Sequence, residues 1–220
     1  MKKTVNLSPN FSKKERLVKD IKFVIIHYTG MQSEIESIKR LKDPKSKVSC
    51  HYLINRDGKI IMMVPENKIA WHAGKSKWKN FVNLNKNSIG IELVNKGHEF
   101  GYQDFSNHQI RSLINLCRNL KTKYKIRTCN FLGHSDIAPL RKDDPGERFP
   151  WKKLSKFKLG HWFKIKKLSM DEVIEDSQKK IFFKNLSKIG YRYFNINNVI
   201  SSRESKVVKA FQRRYIPKKV

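Results

Sequence analysis

Three side chains that can bind a metal ion stand at two places in the chain. His27 ends the apolar run 21–26, whereas His134 and Asp144 bound a turn-rich segment. Two imidazoles and one carboxylate beside a vacant position describe an open, catalytic zinc site, where the metal lowers the pKa of bound water toward about 7. Spacing alone is also compatible with purely structural roles. A lone histidine at a strand end is more often a hydrogen-bonded core residue, and Asp144 before Pro145 can simply start a turn.

Two further charged residues could take part in hydrolysis at such a site. Glu92 lies in the apolar run 88–94, where a buried, unpaired carboxylate costs free energy. It is therefore the candidate for accepting a proton from water. Lys142 could stabilise an oxyanion by its charge, but a single lysine in so basic a chain carries no weight by itself. From the residues alone, the hydrolytic zinc centre is a hypothesis.

The elements that must position these side chains are strands interleaved with helices. Short apolar runs predict strands, and apolar residues at helical spacing predict helices. The predicted strands are 21–27, 51–55, 60–64, 88–94 and 130–133, and the predicted helices are 33–41 and one that follows Ser106. The second and third strands flank Asp57-Gly58 and form a hairpin, and Ser106 and Gln109 have the spacing of a capping box. The pattern favours the α/β (α+β) class, with a mixed central β-sheet covered by helices.

The chain is strongly basic, with 48 Lys and Arg residues against 19 Asp and Glu residues and a net charge of +29. Such a charge raises nucleic acid or another polyanion as a partner. The lysines are scattered, however, as a general compositional bias would produce, and they form no recognised nucleic-acid-binding module. We therefore predict no specific nucleic-acid partner. Three cysteines without CxxC spacing imply no disulfide framework, and no apolar run has the length of a membrane span.

Five segments of the chain, in order, resemble the zinc-dependent N-acetylmuramoyl-L-alanine amidases, which share their fold with peptidoglycan-recognition proteins. The matching segments are 26–29 (IHYT), 51–54 (HYLI) with Asp57-Gly58, 70–74 (AWHAG), 88–93 (SIGIEL), and 133–139 (GHSDIAP) continuing through Lys142 and Asp144 to Gly146. They extend over residues 20–150. Five motifs that match one family in the same order rarely arise by chance.

The resemblance implies a role for each candidate. It implies that His27, His134 and Asp144 bind one zinc ion per chain. It also implies that Glu92 is the catalytic carboxylate and that Lys142 stabilises the transition state. Trp71, His72 and Arg141 are expected to lie along the substrate groove. Some relatives carry a catalytic tyrosine where this chain has Cys50, so proton handling is expected to rest on Glu92. Many recognition proteins of this fold replace the third ligand and lose activity. The presence of Asp144 therefore favours an enzyme over a non-catalytic peptidoglycan-binding protein.

The implied reaction is hydrolysis of the amide that joins N-acetylmuramic acid, including its 1,6-anhydro form, to L-alanine of the peptidoglycan stem peptide. The expected partners are peptidoglycan or muropeptides, and the expected state is a monomer. We expect the enzyme in the cell envelope or periplasm. The alternative is the cytoplasm, because residues 1–20 contain no apolar segment of signal-peptide length.

The composition also predicts a division of the chain. Residues 1–20 form an N-terminal extension, 21–155 the zinc amidase domain, 156–168 a basic, aromatic linker, and 169–220 a small all-α domain. In the last part we predict helices over 171–189, ending at Gly190, and over 204–215. This part resembles small helical peptidoglycan-binding domains, although the match is short. The alternative is a helical cap that packs on the catalytic domain.

Overall fold

The computed structural model describes residues 3–163, 176–195 and 201–220, of which 176 and 177 are described by their backbone alone. The strands are β1 (Lys3–Val5), β2 (Phe11–Ser12), β3 (Phe23–Tyr28), β4 (Tyr52–Ile54), β5 (Ile60–Met62), β6 (Ile69–Ala70), β7 (Lys77–Trp78), β8 (Phe81–Val82), β9 (Ser88–Leu93) and β10 (Phe131–Gly133). The α-helices are α1 (Glu34–Lys42), α2 (Asn107–Tyr124), α3 (His134–Ile137), α4 (Trp151–Ser155), α5 (Asp176–Ile189) and α6 (Ser202–Tyr215).

Six strands form one mixed sheet in the order β1-β5-β4-β9-β3-β10. Strands β4, β9, β3 and β10 are parallel, and β5 returns antiparallel to β4 in the predicted hairpin. In the register, His27 lies opposite Glu92, and Gly133 lies opposite Ile26. The carboxyl ends of neighbouring parallel strands meet at one edge of a sheet. The register therefore brings His27, Glu92 and His134 together, and the predicted mixed α/β fold is confirmed.

Both faces of the sheet are covered. On β3, Val24 and Ile26 face the cluster that includes Leu113 of α2, whereas Ile25 faces the cluster that includes Phe183 of α5 and Val207 of α6. All of these side chains are buried, which explains why β3 is a continuous apolar run rather than an alternating one. The two C-terminal helices thus share a hydrophobic core with the strand that carries His27.

Residues 3–20 pack with the rest of the fold. Strand β1 pairs with β5 at the edge of the sheet, and β2 pairs with β6. Arg16 is buried, and its guanidinium donates to the carbonyl oxygens of Glu66 and Ser88. A buried guanidinium needs such acceptors because leaving its donors unpaired costs free energy. The segment predicted as an N-terminal extension therefore contributes strands and buried hydrogen bonds.

Two helix starts differ in detail from the prediction. The Ser106 hydroxyl accepts from the Gln109 amide, as a capping residue does, but the Gln109 side chain does not complete the predicted box. It is buried and donates instead to the carbonyl oxygens of Ile54 and Val94, 3.0 and 3.1 Å away, and so links α2 to the sheet. Helix α6 begins at Ser202, not at Glu204, because Glu204 closes a capping box with Ser201.

The predicted helix over 171–189 is observed as α5 from Asp176, and residues 171–175 lie outside the described residues. Gly190 follows it directly, as predicted. Within residues 3–163, 176–195 and 201–220, none of the helices combines the length and the apolar character that crossing a membrane requires.

Candidate metal centre and active-site cleft

His27, His134 and Asp144 converge at the carboxyl edge of the sheet. His27 Nδ1 is 2.9 Å from Asp144 Oδ2 and 3.0 Å from His134 Nδ1, and His134 Nδ1 is 3.2 Å from the same carboxylate oxygen. The Ser135 amide donates to the Asp144 carbonyl, 2.8 Å away, which returns the loop to its starting point. All three side chains are buried. The structure thus assembles the three residues that the sequence suggested as ligands.

The far nitrogen of each imidazole has a neighbouring atom that can accept a hydrogen bond. His27 Nε2 lies 3.0 Å from His72 Nδ1, and His134 Nε2 lies 3.2 Å from the Ala73 carbonyl oxygen. If both far nitrogens donate, both Nδ1 atoms present lone pairs to the Asp144 carboxylate. Three lone pairs at these distances repel one another unless a cation lies between them. Zinc with bonds of about 2.0–2.1 Å separates its ligands by about 3.3 Å, so the donor set fits a metal ion of this kind.

The charges at the centre agree with this arrangement. Burial lowers the pKa of His27 to about 4, so the imidazole is neutral. Burial raises the pKa of the Asp144 carboxyl, but the positive charge and the hydrogen bonds that His134 and His27 supply when protonated outweigh burial and hold that pKa well below its usual range. Neutral imidazole and ionised carboxylate are the protonation states that a metal ligand needs.

His72 lies behind His27. Its side chain borders the floor of the cleft, is 8% exposed, and contacts Ser88 Oγ through Nε2 at 3.2 Å. The ring crosses the sheet over Gly90, where a Cβ would come within 2.4 Å of it. We predicted His72 only as a groove residue, so its contact with His27 was missed. A glycine between the branched residues of β9 was the available signal, since it marks a close approach to a strand.

Glu92 extends from β9 on the same side as His27. Its Oε2 atom is buried and, among the described residues, has no hydrogen-bond partner. Burial, reinforced by the nearby Asp144, raises the pKa of Glu92 well above its usual value, while Lys142 acts in the opposite direction. Burial and then Glu92 also raise the pKa of Cys50, which keeps that thiol protonated. A carboxyl group with an unused oxygen at a metal centre is suited to accept a proton.

A cleft of about 430 Å³ opens over the centre, and its lining includes Glu92, Trp71 and Lys142. The Lys142 side chain is exposed there and makes no hydrogen bond or ion pair with any residue that the structure describes. Trp71 is half-buried in the wall. Arg141 reaches the cleft, but its guanidinium donates to the Lys75 carbonyl from Nε and Nη2, at 3.1 and 2.9 Å. Arg141 therefore ties two loops together at the edge of the cleft.

His51 is buried beneath the metal centre, and its lowered pKa predicts that the folded protein becomes less stable in acid. Gly90 N–H donates to its Nδ1, and burial, aided by Arg16 only 2.7 Å away, lowers its pKa to about 3. In the unfolded chain the pKa is about 6.5. Between these values the unfolded state binds more protons, so the free energy of unfolding falls as the pH falls. We expect the metal-free protein to lose about 2 kcal/mol from His51 between pH 7 and pH 5.

Urea denaturation of the metal-free wild-type protein and of His51→Asn at the two pH values measures this loss as the difference between their pH dependences, because His27, whose pKa is also lowered, contributes to both. His161→Asn is the matched control, because His161 is exposed and the pH dependence should not change. Equal stability of the wild-type protein at pH 7 and pH 5 would contradict the prediction.

Comparison with known proteins agrees with the motifs. Residues 17–147 match the family model described as N-acetylmuramoyl-L-alanine amidase. The chain is 34% identical over 211 residues to the N-acetylmuramoyl-L-alanine amidase AmiD of Escherichia coli, covering 90% of this chain and 75% of AmiD. It is 35% identical over 164 residues to the 1,6-anhydro-N-acetylmuramyl-L-alanine amidase AmpD of Haemophilus influenzae, covering 66% of this chain and 86% of AmpD.

A solved structure covers more of the chain than the family model does. The E. coli AmiD complex with the substrate anhydro-N-acetylmuramic acid-L-Ala-D-gamma-Glu-L-Lys superimposes with a TM-score of 0.78 at 32% identity, covering 94% of this chain and 84% of that chain. This chain belongs to the N-acetylmuramoyl-L-alanine amidase family.

Proposed function

We propose that the chain is a zinc-dependent amidase that cleaves the bond between N-acetylmuramic acid, including its 1,6-anhydro form, and L-alanine of the stem peptide. In this proposal His27, His134 and Asp144 hold one zinc ion. The observation that carries it is the convergence of three potential ligand atoms, from His27, His134 and Asp144, beside an open cleft whose lining includes Glu92, a carboxylate with an unpartnered oxygen. The solved AmiD complex supports the substrate class, since its bound substrate is an anhydro-muropeptide.

Each residue has a chemical task in this reaction. When bound, zinc would act as a Lewis acid and lower the pKa of water. Glu92 accepts the proton of the attacking water and passes one to the departing alanine nitrogen. Lys142, which is free of other partners in the described residues, stabilises the oxyanion that develops on the carbonyl oxygen. His72 accepts from His27 and thereby fixes the orientation of that ligand.

Two features support an enzyme rather than a non-catalytic recognition protein. The third ligand is present as Asp144, and Glu92 and Lys142 both line the same cleft.

Trp71 and Arg141 remain our candidates for binding the substrate, with the aromatic ring in the wall and the guanidinium at the edge. The substrate carries free carboxylates on its peptide, so a chain with a net charge of +29 attracts it.

The test is release of stem peptide from purified 1,6-anhydro-muropeptide by the full chain. We expect about one zinc per chain and loss of hydrolysis after exhaustive chelation, with recovery when zinc is restored. Hydrolysis that survives complete removal of the metal would overturn the zinc mechanism. A stoichiometric, zinc-loaded chain that binds muropeptide without cleaving it would instead favour the recognition protein.

The same assay addresses where the enzyme acts. The family hydrolyses peptidoglycan or its fragments, and both the envelope and a cytoplasmic recycling route offer such substrates. We propose the envelope. Release of peptide from intact sacculi at a rate comparable to that from soluble fragments supports the envelope, whereas activity confined to soluble 1,6-anhydro-muropeptides supports cytoplasmic recycling.

A further inference from the structure

The last helix holds the loop that supplies two of the three candidate ligands. We call residues 134–144 the ligand loop. Near its start, the Asp136 carboxylate forms an ion pair with Arg214 of α6, and both side chains are buried. Asp136 also accepts from the Gly133 amide, 2.8 Å away, and from the Tyr191 hydroxyl. A carboxylate two residues after His134 is thus fixed by groups from the C-terminal part of the chain.

A second contact lies at the other end of the ligand loop. Arg213 Nη2 is 2.9 Å from an oxygen of Asp143, the residue that precedes the candidate ligand Asp144. Between the two ends, Lys206 Nζ donates to the Leu140 carbonyl oxygen at 3.4 Å. Helix α6 therefore contacts the ligand loop near its beginning, in its middle and near its end.

Arg214 is itself held on several sides. Its Nη2 donates to the Phe131 carbonyl oxygen, 3.0 Å away, at the start of the strand that leads to His134. Its guanidinium lies 3.8 Å from the ring centroid of Trp151, where a cation–π contact stabilises it. An arginine that bonds to both the strand and the loop around His134 restricts how these segments move relative to each other.

We propose that α6 is a positioning element of the metal centre, in which Arg213 and Arg214 fix the two ends of the ligand loop. The inference rests on the zinc-ligand roles proposed above for His134 and Asp144. Groups that hold metal ligands in place typically change metal affinity 10–100-fold when they are removed. The C-terminal helices then act on the metal centre itself, whatever they contribute to binding the wall.

The test compares variants of α6 in the full chain. We expect Arg214→Gln to raise the zinc dissociation constant about 10–100-fold, measured by competition with a chromogenic chelator. Arg214→Lys keeps the charge and should restore part of the affinity. Arg213→Gln should weaken zinc binding to a smaller extent, because Asp143 is partly exposed. Lys209→Gln is the matched control, since Lys209 is an exposed cation on the same helix and should leave the constant unchanged.

Amide hydrogen exchange of the metal-free variants gives a second readout. Faster exchange in the ligand loop, without a change in β3 or β9, is expected from a loss of positioning rather than from general destabilisation. If Arg214→Gln fails to fold, the zinc affinity and the loop exchange of Arg213→Gln decide whether α6 positions the loop. Wild-type zinc affinity and wild-type exchange in folded variants would overturn the proposal. If the wild-type chain binds no zinc, the proposed function fails, and loop exchange alone decides whether α6 positions the loop.

Discussion

Replacing Glu92 with glutamine is expected to lower the turnover number for stem-peptide release by about 10²–10⁴-fold, the usual contribution of a general base. The substitution preserves the shape of the side chain but removes its ability to accept a proton. Zinc content should remain at about one ion per chain, because Glu92 is outside the set of converging ligand atoms. The variant should also fold, since the carboxylate oxygen Oε2 has no partner to lose in the described structure.

The measurement combines metal analysis with chromatographic detection of released peptide. Glu99→Gln is the matched control, because Glu99 is an exposed carboxylate in the same cleft and has no role in the proposed reaction. It should retain nearly full activity. A Glu92→Gln enzyme that keeps more than a tenth of the wild-type rate would exclude Glu92 as the main proton acceptor.

The central part of the site could be predicted because parallel strands impose their own geometry. His27 and Glu92 each lie near the end of an apolar run, and His134 follows a third. Once the runs are neighbouring parallel strands, their carboxyl ends coincide and these side chains must meet. The apolar pattern and the order of the motifs were therefore sufficient to predict the strands that carry these side chains. The position of Asp144 depended on the loop after His134, whose path the sequence suggests only through its turn residues.

The parts that could not be predicted depend on contacts between distant segments. Gln109 has the spacing of a capping residue, but burial against the sheet offers it two carbonyl acceptors, and these replace the local bond. Arg214 lies on a helix whose periodicity shows that one face is buried but not which residues it meets. Its pairing with Asp136 joins positions far apart in sequence, which no local pattern encodes.

The same limit applies to the C-terminal helices as a unit. Amphipathic helices are compatible with a separate wall-binding domain and with a cap on the catalytic domain. In the described structure, Phe183 and Val207 share a hydrophobic cluster with Ile25 of β3. This contact supports the cap. It does not conflict with wall binding, because the outer surface of α5 and α6 could still meet the polymer.

The other large effect is expected at Asp144. Asp144→Asn keeps the size of the side chain but removes the negative charge that balances a divalent cation between two neutral imidazoles. We expect zinc affinity to fall by more than about 100-fold, beyond the effect of removing a group that merely positions a ligand. Hydrolysis should fall to background. Muropeptide binding should persist, because the cleft and its side chains Trp71 and Arg141 are unchanged.

Zinc competition, peptide release and calorimetric muropeptide binding together measure these three outcomes. Asp104→Asn is the control, because it removes the same charge from an exposed position. Full zinc occupancy and hydrolysis in Asp144→Asn would remove Asp144 from the ligand set. The expected combination, binding without hydrolysis, would mean that one carboxylate separates an amidase from a recognition protein on this fold. Because the substitution changes neither the shape of the cleft nor the other ligands, the charge on Asp144 would then be the property that makes this chain an enzyme.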